Sequence, residues 1–391
     1  MTEQQGLRAV PRGRLRLLDG LRFFAAVAVL GYHYAAFDQV EGPVWGEPIE
    51  DATARVGVWF GYGALAPYLF FVISGFVILM TAQGRGWRYF VASRISRLYP
   101  GYWTAVLLTS ALLILMWNPG RAPSLEQVAV NLTMVQAAFE VPHVDGVYWT
   151  LWVELKFYLL MGLLVLWGVT TRRVMWLAVL WPLAGWALAE SGVEWFWDWL
   201  IYRHAPFFAG GMVLYLLYSR GHTPWRWLVL LGNAALAVWH TVPGLSEQVE
   251  QNTPYALNPW LLGSLVTACF VAVGLISLTP AAQIDWRWLT TVGALTYPVY
   301  LLHQYWGWWV IAGLRESVGP VVSVVAATAL SLTLAWLVHR CVERPLAPRM
   351  KHGVLRLLGE PPAAGAPVAG VDRLRAERRD GRRGSDQGEH R

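Results

Sequence analysis

LDGLRFFAAVAVLGYHYAAF, Leu18 to Phe37, is a membrane-length apolar run that carries Asp19, Arg22 and His33 where a bilayer penalises ionisable groups. Eleven residues separate Arg22 from His33. At about 100° each they come within roughly 20° of three full turns, so both side chains share one helix face. Along the axis they stand about 16 Å apart. Arg22 would then lie at one boundary of the membrane and His33 near or past its middle. A snorkelling arginine would explain the first on topology alone. An imidazole at depth asks for a cavity or a partner on another helix.

The remainder of the chain has the same character. Of 391 residues, 56% are hydrophobic and only 14% charged, with 24 Trp and 16 Tyr. Apolar runs near the length of a bilayer span recur throughout, and the excess Trp and Tyr suits interfacial belts. Ten candidate spans can be read: 22–38, 63–82, 101–117, 149–169, 174–190, 204–219, 227–242, 259–279, 290–312 and 319–339. The expected fold is therefore all-α, a polytopic membrane protein of about ten transmembrane helices with both termini cytoplasmic. Arginines crowd the segments this topology places inside, whereas the outer loops hold only Arg55, Arg121, Arg203 and Arg315. The net charge of +6 thus reads as a topology signal and not as a nucleic-acid footprint. Asp19, Arg22 and His33 interrupt the first run and no small-x-small site follows it, which argues against a cleaved signal peptide. Three regions result: a basic cytoplasmic N-terminus (1–21), a transmembrane domain (22–345) and a basic, disordered cytoplasmic tail (346–391). The stretch SLEQVAVNLTMVQAAF, 124–139, has helical periodicity but is short for a span, so it is expected as a re-entrant or interfacial helix. Cys269 and Cys341 have no pairing pattern and are expected as free thiols.

Several constellations could carry chemistry. GVYWTLWVELKFYLL, 146–160, brings Glu154 into a span with Tyr158 one turn on and Lys156 on the opposite side, placed to snorkel outward. If that span runs antiparallel to the first, Glu154 and His33 reach similar depths, and a His–Glu pair is an acid–base couple. A structural ion pair is the plainer alternative. RGWRYFVASRISRLYPGYW, 85–103, sets Arg94 and Arg97 on one cationic face, suited to phosphate through bidentate guanidinium contacts or to lipid headgroups. GALTYPVYLLHQYW, 293–306, places His303 among aromatics near Tyr297; a core histidine satisfied by its neighbours is the simpler reading. Arg203 stands at the mouth of the sixth span, facing a substrate or merely Glu194 or Asp198. Ser74 lacks the context of a nucleophile elbow, and Ser74-Gly75 reads as close helix packing. Walker, dinucleotide and zinc-protease signatures are missing, and no metal site is expected.

Taken in order, these stretches resemble the acyltransferase 3 family of integral-membrane O-acyltransferases, which includes bacterial O-antigen acetylases. The resemblance rests on Asp19-Gly20-Leu21-Arg22 with His33; on Phe70 to Phe76; on Arg94, Arg97, Tyr99, Pro100, Tyr102 and Trp103; on Trp149, Glu154, Phe157 and Tyr158; on Tyr297, Pro298, Tyr300, Leu301 and His303; and on Glu343-Arg344-Pro345. It departs at Leu155-Lys156, where many members have Glu-Gln, and at Thr296, which replaces a serine.

The resemblance implies transfer of an acyl group, typically acetyl, from cytoplasmic acyl-CoA as co-substrate to a hydroxyl of a sugar, an envelope glycan or a glycosylated small molecule. No bound cofactor is implied. Some members also carry an extracytoplasmic SGNH esterase-like domain; here such a partner would be a separate protein. The expected site has His33 as general base oriented by Glu154, with Arg22, Arg94 and Arg97 on the donor phosphates. Asp19, Ser74, Tyr158, Arg203, Tyr297 and His303 are candidate pocket residues, and the location is the plasma membrane. A carrier for an acyl group or lipid-linked sugar is the rival reading, since intramembrane charges suit it equally.

Overall fold

The computed structural model describes residues 15–38, 44–53, 56–117, 120, 122–192 and 199–360. Arg55 and Arg121, the acids Glu194 and Asp198, and the tail from residue 361 lie outside the described residues.

All regular structure among the described residues is helical. Helix α1 is Arg16–Ala35. A short helix, Gly57–Gly61, and a tight turn, Tyr62–Leu65, lead into α2, Ala66–Ala82. Helix α3 is Trp87–Ala111, widening into a π turn at Leu112–Met116. There follow α4 (Leu125–Asn131), α5 (Trp149–Trp167), α6 (Thr171–Glu190), α7 (Ala205–Arg220), α8 (Pro224–Asn252) and α9 (Pro259–Leu278). Helix α10, Arg287–Val338, is interrupted at Gly319, whose φ of 77° no helix accommodates. A second π turn, His339–Glu343, joins it to α11, Arg344–Leu357.

Each of the ten predicted spans coincides with a helix, the last two being the halves of α10. Among the described residues, six helical runs are by themselves long and apolar enough to cross a membrane: Gly57–Ala82, Trp87–Met116, Gly146–Trp167, Pro224–Asn252, Pro259–Leu278 and Arg287–Leu357. Large apolar side chains such as Trp239, Trp260 and Val321 lie exposed on outer faces, a surface suited to lipid and not to water.

Two expectations need correction. The stretch 124–139 is not one helix: α4 stops at Asn131, and Met134 takes a left-handed φ of 69°. Asn131 causes the break. Its side chain donates to Pro142 O and accepts from Val144 N, tying the chain back on itself. Residues 346–357, expected in a disordered tail, are helical as part of α11, which packs on α3.

Local chemistry sets the joints. The α5–α6 and α7–α8 corners share one construction. A left-handed glycine (Gly168, φ 97°; Gly221, φ 81°) ends the first helix. A threonine two residues later (Thr170, Thr223) caps the second. An arginine three further on donates back to the freed carbonyls: Arg173 Nη1 to Gly168 O at 2.8 Å, and Arg226 Nη1 to Arg220 O at 3.0 Å. Between α2 and α7 the backbones nearly touch. A Cβ on Gly75 would stand 2.1 Å from Phe208 O, and one on Gly211 2.1 Å from Val72 O. Small residues at such crossings are what let apolar helices associate without a hydrophobic drive. The expected packing at Gly75 is thus observed. Helix α1 lies against the first half of α10, with Gly293 receiving Asp19 and Gly307 receiving Tyr34.

Candidate active site

His33 is 8% exposed, in the last turn of α1. Its Nδ1 lies 3.0 Å from Val29 O and 3.0 Å from His303 Nε2. His303 Nδ1 is 2.9 Å from Tyr300 O. The partners fix the protons. A carbonyl only accepts, so His303 carries its hydrogen on Nδ1 and presents a bare Nε2. His33 therefore holds its hydrogen on Nδ1, shared between Val29 O and that Nε2. The nitrogen left with a lone pair is His33 Nε2, which has no hydrogen-bond partner among the described residues, and the His33 side chain lines a chamber of about 150 Å³. Tyr32, Phe37, Trp149, Tyr300, Gln304 and Gln248 contribute to its walls. Trp308 Nε1 donates to His33 O at 2.8 Å, and Tyr34 OH donates to His303 O at 2.8 Å, fixing both histidine backbones. Tyr34 OH also meets Ser331 Oγ at 2.9 Å, which ties the far half of α10 to the site.

Glu154 sits elsewhere. Its Oε1 accepts from Ser74 Oγ at 2.9 Å and from Tyr158 OH at 2.5 Å. It shares a second, smaller chamber of about 50 Å³ with Arg22, Ser74, Thr296, Tyr297 and Tyr300. The expected His33–Glu154 contact is absent, and His303 occupies the orienting position instead. The reason is register. Glu154 lies one turn into α5, level with Ser74 of α2, whereas His33 lies at the far end of α1, level with His303 of α10.

The three predicted donor arginines do gather, around Glu154. Arg22 interacts electrostatically with Arg97, Glu154, Tyr158 and Asp19. The Arg94 guanidinium lies 5.7 Å from the Tyr158 ring centre, and that of Arg97 lies 5.3 Å from the Tyr297 ring centre. Tyr297 OH donates to Leu98 O at 3.0 Å, holding α10 against α3. Glu343 of the Glu-Arg-Pro motif packs at the same joint, where a Cβ on Gly101 would meet its Oε1 at 2.7 Å. Cationic groups and a carboxylate thus gather around one chamber, and the histidine pair adjoins another.

Two side chains, Pro67 and Tyr300, line both chambers and form the wall between them. Tyr300 OH is held in place by Thr150 Oγ1 at 3.0 Å and Val147 O at 3.2 Å. Thr150 stands in the first turn of α5, and Val147 in the turn Gly146–Tyr148, which Asp145 caps by accepting from Val147 N at 3.2 Å. Asp145 is fully buried outside the spans, and burial pushes its carboxyl up to about 7, against the opposing pull of backbone donors at Val147 and Tyr305.

The remaining predicted residues divide. Asp19 is buried against Gly293 and lines neither chamber. Arg203 lines a third chamber of about 260 Å³, together with Tyr68, Trp149, His204, His240, Thr241 and Gln248. Lys156 does not snorkel outward. It is 5% exposed, with Nζ 4.7 Å from the Trp152 ring centre and 5.6 Å from that of Trp199. Both cysteines are free. Among the described residues no three His, Cys, Asp or Glu side chains converge as metal ligands would. Gln304 and Gln248 escaped the sequence reading. Tyr300 was legible there as an aromatic neighbour of His303 and a motif residue, one helical turn before it in the Tyr-Pro-x-Tyr-x-x-His run, but not as a chamber wall.

A family model described as "Acyltransferase domain" matches residues 15–340. The chain is 24% identical over 412 aligned positions to acyltransferase MdmB of Streptomyces mycarofaciens, covering 92% of this chain and 96% of that protein. It is 27% identical over 316 positions to the exopolysaccharide production protein ExoZ of Rhizobium meliloti (strain 1021), covering 76% and 94%. No solved structure matches. With the family match running from the start of α1 into the π turn before α11, the chain belongs to the acyltransferase 3 family.

Proposed function

We propose that this membrane acyltransferase moves an acyl group from acyl-CoA to a hydroxyl of a saccharide-containing acceptor, with His33 as general base. The observation that carries the reading is the hydrogen-bonded chain from Tyr300 O through His303 to Nδ1 of His33, beside a chamber that His33 lines; the carbonyl at its end assigns the protons so that Nε2 of His33 keeps a lone pair. In the reaction the acceptor O–H gives its proton to Nε2 as its oxygen attacks the thioester carbonyl. The tetrahedral intermediate collapses with cleavage of the C–S bond. The proton held on Nε2 then passes to the departing thiolate. While His33 carries both protons, its Nδ1–H remains bonded to His303 Nε2, which stabilises the imidazolium. The cluster of Arg22, Arg94 and Arg97 would hold the donor phosphates by charge-assisted contacts. Glu154 then belongs to the donor end, where it offsets the Arg22 charge and, with Ser74 and Tyr158, shapes the approach of the acyl chain.

Ten spans with both termini in the cytoplasm, in the plasma membrane, complete the proposal: the arginines face the compartment that holds acyl-CoA, and His33 lies deeper. The printed name of the Rhizobium relative, an exopolysaccharide production protein, supports a saccharide acceptor. The test is purified protein in detergent with labelled acetyl-CoA and saccharide acceptors. Covalent transfer without a sealed vesicle is expected of an enzyme and impossible for a carrier. General-base catalysis contributes about 10²–10⁴-fold, so His33→Ala should lose that much of kcat. Arg22→Ala should instead raise the KM for the donor. A His33→Ala protein with normal turnover overturns the assignment.

A further inference from the structure

Beyond the two chambers that serve the proposed reaction lies the third, built from the loop before α7 and the middle of α8. It adjoins the His33 chamber through shared walls, since Trp149 and Gln248 line both. Its lining has a consistent chemistry. The His204 ring centre lies 5.5 Å from that of Tyr68 and 5.5 Å from that of Trp149, an aromatic corner of the kind on which a sugar ring rests. Among the described residues, no carboxylate lines it. Thr241 is 3% exposed, and among the described residues neither its hydroxyl nor His240 Nε2 has a hydrogen-bond partner. A buried polar atom without a protein partner calls for one, and two residues that line this cavity each carry such an atom.

The cation of the chamber is Arg203. Its Nε donates to Tyr202 OH at 2.9 Å, and no carboxylate among the described residues forms an ion pair with it. Its Nη1 lies beside Gly244, where a Cβ would stand 3.7 Å away, so the guanidinium reaches across the chamber to α8. The turn that presents it is strained. Ile201, a β-branched residue, takes φ 46°, held there by bonds from His204 N and Ala205 N to its carbonyl, both 2.8 Å. Strain of this kind persists only where the surroundings enforce it, and it gathers at functional sites.

The geometry points to the third chamber as the subsite for the non-reacting part of the acceptor, and to that part being a glycosyl unit that carries an anionic group on Arg203. The inference rests on the acyl-transfer reading, because it places the reacting hydroxyl at His33 and the anion one chamber away. A carboxylate and a phosphate share the chemistry Arg203 would recognise.

The test uses full-length protein in detergent and three probes that differ at one substituent: para-nitrophenyl glucoside, para-nitrophenyl glucuronide, and the phosphate ester of the glucoside at its primary hydroxyl. Equilibrium binding, which needs no turnover, should be at least about fivefold tighter for one of the charged probes than for the glucoside, as one charge-assisted bidentate contact provides. Which charged probe binds better names the source of the anion. Arg203→Gln should abolish the preference while leaving glucoside binding and the melting temperature unchanged; Arg203→Lys should keep part of it. Added salt should narrow it. Equal binding of charged and neutral probes, no binding of any, or a preference that survives in Arg203→Gln overturns the subsite. His33→Ala should lose transfer yet keep the preference for the anionic probe. Normal transfer by His33→Ala would therefore overturn the catalytic assignment alone, with the subsite still judged by binding.

Discussion

In the proposed mechanism His303, 3.0 Å from His33, orients it with a lone pair and not with a negative charge. A neutral acceptor holds the tautomer without drawing a counter-ion into a low-dielectric interior, where an unpaired carboxylate is costly. Replacing it should act on the chemical step. His303→Ala should lower kcat by about 10–100-fold with little change in the KM for the donor, because proton order is lost while the arginine cluster stands. His303→Gln, whose Oε1 can accept from His33 Nδ1–H, should recover part of the rate in the same steady-state assay; a merely structural role would show no such recovery. Asp145 provides a second residue-scale prediction. Its folded-state carboxyl titrates near 7 against an ordinary value of 3.8, so the folded form resists ionisation. Stability is then full below about pH 4 and declines as pH rises toward 7, by a few kcal/mol at most. Asp145→Asn should flatten that decline in melting temperatures recorded between those limits. His33 was legible as a site from its depth and its face shared with Arg22. Its partner was not, because a histidine 270 positions away leaves no local spacing to read.

At the scale of elements, periodicity and capping were informative where helices are long and uninformative where a side chain interrupts them. The ten apolar runs each mark a helix. Thr170 and Thr223, each two residues after a glycine and three before an arginine, mark corners by chemistry any reader of helix ends could apply. The break after Asn131 depends on that side chain reaching Pro142 and Val144, a contact between segments that periodicity cannot express. The α2–α7 crossing makes the element-scale prediction. With carbonyl oxygens 2.1 Å from any added Cβ, Gly75→Ala and Gly211→Ala must each push two backbones apart. Each should destabilise by about 1–3 kcal/mol, the range for overpacking. Thermal unfolding in detergent measures it, and the shift should be larger for Val than for Ala at either position.

Across the whole molecule, the site is assembled from α1, α2, α3, α5 and α10, brought together over long sequence separations. The sequence order of the motifs indicated that such a centre exists. It did not reveal that the centre is divided, with the arginines and Glu154 on one side and the two histidines on the other. That division follows from Pro67 and Tyr300, and it has a consequence for economy of substrate. A thioester resting among the arginines has no imidazole within reach of water beside it, so the idle enzyme should not squander its donor by hydrolysis. Tyr300→Ala would merge the compartments and leave Thr150 and Val147 without their tie. The expected outcome is faster release of free CoA from acetyl-CoA in the absence of acceptor, read by thiol titration, together with a smaller share of acyl groups reaching the acceptor when one is supplied. In that view Tyr300 is the safeguard against futile turnover, a function that neither histidine could perform and that only becomes visible when nothing is there to be acylated.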